Sequence, residues 1–199
     1  RKVLAWTLPT NGGESLAIIA AIAFGLTLPI TPLQILWINT LSAVGLGLIL
    51  AFEPAESDLM RRAPRPAGAA LLSGYLLWRV ALLTVLIAAG SFAALALAQA
   101  HGASLEQART VAVNVFVMVE LFYLFNCRSF TRSMFAIGLF SNPWVIFGSL
   151  GMIALQLAFT YLPTMNTLFH SAPIGLDAWW RILAIADRDF GRVFVKRRV

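Results

Sequence analysis

Two carboxylic acids, two amides and a hydroxyl lie within stretches that are otherwise strongly apolar. "LPTNGGESLAI" carries Asn11 and Glu14, "WINTLSAV" carries Asn39 and Ser42, and "VFVMVELFYLFN" carries Glu120, the only charge between Arg109 and Arg128. Each of the first two pairs is spaced i, i+3 and therefore shares a helix face. Ionisable groups at membrane depth are costly and normally face a bundle interior or a pathway. The chemistry such a set offers is cation binding. Two carboxylates neutralise one divalent ion, while amide, hydroxyl and backbone carbonyl oxygens complete a shell of six to eight oxygens. Pro9, Gly12 and Gly13 beside Glu14 are expected to loosen the first helix and free carbonyls for such use. The competing reading is that Asn39 and Ser42 join helices by hydrogen bonds and that each glutamate is protonated or hydrogen-bonded.

The elements that must hold these groups are long and apolar. The chain of 199 residues is 59% hydrophobic and 12% charged, with a mean hydropathy of +0.80. A water-soluble domain of this length could not bury so much apolar surface, whereas a bilayer requires about 20 apolar residues per helical span. Apolar runs fall at 3–25, 30–52, 75–99, 108–126, 143–162 and 178–195. The expected fold is therefore all-α, a polytopic transmembrane bundle of about six spans. The last run is the weakest, because Asp187, Arg188, Asp189 and Arg192 interrupt it.

Charge in the connecting loops gives an orientation. Arg61, Arg62 and Arg65 lie between the second and third runs, Arg128 and Arg132 between the fourth and fifth, and Lys196, Arg197 and Arg198 near the end. "GLTLPIT", "AHGASLEQ" and "PTMNTLFHSAPIGLD" contain no Lys or Arg. The positive-inside rule then places both termini in the cytoplasm. The net charge of +6 is thus accounted for by topology, and no nucleic-acid partner is expected. Arg79 reads as a lipid-facing anchor that snorkels to the headgroups, and Trp78, Trp144, Trp179 and Trp180 read as an aromatic belt. The single cysteine, Cys127, leaves no internal disulfide. The opening "RKVLAWTLPTNGGE" does not read as a signal peptide, and the chain is expected to be a piece of a longer protein. No phosphate-cradling loop, His/Cys metal cluster or nucleophilic triad is present in the sequence, so no catalytic residue is assigned.

The ordered motifs "LPTNGGE", "PITPLQILWIN", "AFEPAESDLMRRAPR", "SGYLLWR", "VELFYLFNCRS" and "YLPTMNTLFHSAPIGLDAWW" resemble the C-terminal membrane region of P2-type cation-transporting ATPases, and most of all the bacterial calcium-pump-like members. The likeness runs through about residue 186. It implies that residues 1–199 form the C-terminal transmembrane, cation-transport domain, with spans equivalent to helices five to ten of a ten-helix pump. It also implies that Asn11, Glu14, Asn39 and Glu120 bind the transported ion; Ser42 is added to them by its spacing from Asn39. The ion implied is Ca2+ or another divalent ion, with a monovalent ion as the alternative.

ATP and Mg2+ would act only in the full-length parent, whose phosphorylated headpiece and first four helices are missing from these residues. The implied partners are the lipid bilayer and that remainder of the pump, and the implied location is a bacterial cell membrane. One departure stands out: calcium pumps of this family usually carry an aspartate four residues after the sixth-helix asparagine, where this sequence has Ala43. That favours one ion per cycle, or a different ion. An ATP-independent carrier or channel and a non-transporting membrane scaffold remain as alternatives.

Overall fold

In the computed structural model, residues 2–53, 68, 72–128 and 141–193 are described, apart from the side chains of 43, 44, 48 and 188–193. They form eight α-helices and one π-helical segment, and no strand occurs among the described residues. The helices are α1 (Lys2–Phe24), α2 (Pro32–Asn39), α3 (Gly47–Ala51), α4 (Gly74–Ala100), α5 (Leu105–Cys127), α6 (Pro143–Tyr161), α7 (Pro163–Phe169) and α8 (Leu176–Val193), with the π segment Thr40–Leu46 between α2 and α3. Arg61, Arg62, Arg65, Arg132 and the basic tail, on which the orientation depends, lie outside the described residues.

The chain punctuates itself where helix ends need partners. Thr31 accepts from the backbone N–H of Gln34 while the Gln34 side chain accepts from Thr31, and Pro32 follows at the first helical position, where its missing N–H costs nothing. Ser104 and Gln107 make the same reciprocal box at the start of α5, Ser73 caps α4, and Asn142 followed by Pro143 starts α6. His170 ends α7 in the left-handed conformation with φ of 50°. The sequence alone reads that stretch as a loop.

Three helices, Gly74–Ala100, Leu105–Cys127 and Pro143–Tyr161, are by themselves long and apolar enough to cross a membrane. The other three expected spans depart for separate reasons. Asn11 to Glu14 place polar residues in the middle of α1. The second run is divided at the π segment. The described part of the sixth, α8, is strongly amphipathic.

The interior is organised around α5, which packs on α1, α4, α8 and α6 and is buried without a break from Thr110 to Leu121. Ile19, Ile22, Val85, Phe147 and Leu150 point outward, as lipid-facing residues do. Trp78, Trp144 and Trp180 are exposed near helix ends, whereas Trp179 donates to the Tyr161 hydroxyl at 2.8 Å. Arg79 differs from its expected role. It is 7% exposed, and its guanidinium carbon lies 5.3 Å from the centre of the Tyr123 ring, so a cation–π contact inside the bundle replaces snorkelling through lipid.

Candidate cation site

Glu14 reaches the interior because α1 lies unusually close to α4. A Cβ on Gly13 would fall 2.5 Å from Ile87 Cγ2 and 2.8 Å from Ile87 Cβ, and one on Gly12 would fall 2.6 Å from the Thr84 hydroxyl. The glycines therefore permit close helix contact, as small residues do in membranes. They do not unwind α1, which is continuous from Lys2 to Phe24 with Pro9 inside it. Proline at position 9 removes the N–H that would serve the carbonyl of Ala5. The Tyr123 hydroxyl donates to that carbonyl at 3.0 Å instead, so it is spoken for by α5. One turn along, Trp6 Nε1 donates to the Glu120 carbonyl at 3.0 Å. Two hydrogen bonds thus fix α1 against α5 at the level of the second carboxylate.

Glu14 is 3% exposed and Glu120 is 1% exposed. Asn39 Nδ2 donates to Glu14 Oε2 at 2.7 Å, which joins the end of α2 to α1. α5, which carries Glu120, packs on α1, which carries Glu14, and on the π segment that carries Ser42. Ser42 directs its proton to Ile38 O at 2.7 Å, and Glu14 Oε1, Glu120 Oε1 and Glu120 Oε2 have no hydrogen-bond partner. Three acceptor oxygens, in a place where an unpaired polar group is expensive, define a site suited to a positive charge. No group of three or more His, Cys, Asp or Glu occurs among the described residues. Any cation there would be held by two carboxylates supplemented by neutral oxygens.

Ser42 belongs to the π segment, where the Gly47 N–H bonds to Ser42 O. Such widened turns displace the backbone from the regular α ladder and are frequent at functional sites. Thr40 Oγ1 bonds back to Leu36 O at 2.7 Å, as Ser42 does to Ile38, and such back-bonding favours helix bending.

The structure brings Glu14, Asn39, Ser42 and Glu120 together. Asn11 is exposed and is not part of that group: three residues along a helix leaves it on the edge of the buried face.

A second buried polar group was not singled out from the sequence. Asn114 Nδ2 donates to Thr110 O at 2.9 Å and to Thr160 Oγ1 at 3.1 Å, and Trp37 Nε1 donates to Gln156 Oε1 at 3.3 Å. The signal was available, since Asn114 is an amide inside the same apolar run as Glu120.

The fold and these buried groups define a helical membrane domain with a polar centre. The comparisons agree with that class. Residues 27–186 match the family described as "Cation transporting ATPase, C-terminus", and the chain belongs to that family. It is 51% identical over 185 residues to the "Probable cation-transporting ATPase F" of Mycobacterium tuberculosis, covering 93% of this chain and 20% of that protein. It is 30% identical over 187 residues to a "Calcium-transporting ATPase" of Bacillus subtilis, covering 94% of this chain and 21% of that protein. The chain therefore spans about a fifth of the length of these relatives. It is an integral membrane protein.

Proposed function

We propose that this chain is the ligand-bearing half of the membrane domain of an ATP-driven cation pump, and that its cargo is a divalent ion, Ca2+ foremost. The observation that carries the reading is the pair of buried carboxylates, Glu14 and Glu120, with three oxygens unpartnered and Asn39 bonded to the fourth. An ion entering there would gain two negative charges together with the amide and hydroxyl oxygens of Asn39 and Ser42. The names of the relatives support a cation as cargo, and that of the Bacillus subtilis protein supports calcium.

In this reading residues 1–199 supply six spans with both ends cytoplasmic in a bacterial cell membrane. The remainder of the pump supplies the headpiece that uses ATP and Mg2+, together with the helices that cover the exposed face bearing Asn11. With Ala43 in place of a further carboxylate, the charge suits one divalent ion per cycle, because a second would be largely uncompensated in a low-dielectric interior. The test is calcium uptake by inverted membrane vesicles containing the full-length protein. ATP-dependent uptake that is lost in Glu14→Gln supports the pump. Uptake that proceeds without ATP supports a carrier, and no uptake of any cation supports a scaffold.

A further inference from the structure

At one end of the bundle, three helix termini meet on a buried ion pair. Arg128, at the end of α5, places Nη2 3.0 Å from Glu53 Oε1, with the arginine side chain 0% and the glutamate side chain 4% exposed. Arg128 Nε donates to both Glu53 oxygens at 3.1 Å, and Nη2 donates to Ser141 Oγ at 2.7 Å. Asn142 Nδ2 donates to Glu53 Oε2 at 2.9 Å while Asn142 Oδ1 accepts from the Trp144 N–H at 3.0 Å. The ring of Trp144 packs 5.6 Å from that of Phe52. The end of α3, the end of α5 and the start of α6 are thereby held together.

A buried ion pair is a poor source of stability, because desolvation offsets its attraction; what it does supply is fixed geometry. Here there is a geometry that needs fixing. Between α2 and α3 the backbone is π-helical from Thr40 to Leu46, and π turns are among the places where a helix changes direction. Following α3 back from Glu53 leads to Ser42. Following α5 back from Arg128 for about two turns leads to Glu120, on the helix against which the π segment of Ser42 packs.

We propose that the Glu53–Arg128–Asn142 clamp positions the cation site, by setting where α3, and with it Ser42, stands relative to Glu120. None of the three is a ligand. The inference rests on the pump reading above, and its test separates the two.

In the full-length protein, the readouts are the calcium concentration that half-saturates phosphorylation by ATP, the half-saturating ATP concentration, and the thermal unfolding midpoint. Glu53→Gln removes the charge. Asn142→Asp keeps the acceptor that caps α6 but replaces the donor to Glu53 with a like charge, so it probes the clamp even if Glu53→Gln fails to fold. Each is expected to raise half-saturating calcium about tenfold while leaving half-saturating ATP within about twofold. A wild type that responds to calcium, with both single variants at the wild-type half-saturation, overturns the clamp alone. A wild type whose phosphorylation ignores calcium overturns the calcium-pump reading, and the clamp as a calcium-positioning device with it.

Discussion

α5 and the α2–π–α3 segment face each other across the carboxylate pair, and they are built in opposite ways. α5 is a single helix of 23 residues, buried through its middle and tied to α1 by the Trp6 and Tyr123 hydrogen bonds. The facing segment changes from α to π at its centre, and its two ends are held by groups outside it: Gln34 donates to Phe169 O at 3.0 Å, and Glu53 is held by Arg128. One side is a continuous wall that carries Glu120, and the other is an arm with a π joint that carries Asn39 and Ser42. In the pump reading proposed above, an ion must bind and then leave, and such an arrangement can serve both by moving one side only.

Removing a charge from the wall is expected to have the largest effect. Glu120→Gln should weaken calcium-dependent phosphorylation at least about a hundredfold, as expected for truncating one member of a buried charged set, with Glu14→Gln similar. Half-saturating calcium measured on purified full-length protein checks this. Next comes the joint. Deleting Gly45, whose Cβ position meets nothing within 4 Å, should close the π turn into regular α-helix, removing the widened turn that carries Ser42 while leaving α3 near its present direction. That displaces Ser42 and should weaken calcium response some tenfold or more, whereas an unchanged response would show that the joint is not needed.

Smaller effects test how the wall is supported. Gly13→Ala drives a Cβ into Ile87 and should cost about 1–3 kcal/mol of stability by forcing α1 from α4, seen as a lower unfolding midpoint in detergent. Ser42→Ala should be mildest, raising half-saturating calcium about two- to fivefold, because its hydroxyl already bonds to Ile38 O and its loss leaves both carboxylates in place.

Much of this was legible in the sequence. Helix limits are dictated by bilayer thickness, so the run 75–99 appears as Gly74–Ala100 and 143–162 as Pro143–Tyr161. The polar residues stood out because lipid cannot explain them, and Glu14, Asn39, Ser42 and Glu120 do gather. What the sequence does not carry depends on which neighbour each group meets. A π turn has the same composition as an α turn. Arg79 reads alike whether its head snorkels to the surface or lies over Tyr123. Gly12 and Gly13 read as weak points, yet they serve close packing once Thr84 and Ile87 are opposite them. Arg128 was counted as a loop charge because its partner, Glu53, is distant in the chain.

In the proposed reading, carboxylates from two helices make one cation site. The most direct measurement is the number of calcium ions bound at equilibrium per phosphorylatable molecule of the full-length protein, in wild type, Glu14→Gln and Glu120→Gln. One ion in the wild type and none in either variant at the same calcium concentration is the predicted result. Wild-type binding retained in both variants would contradict it.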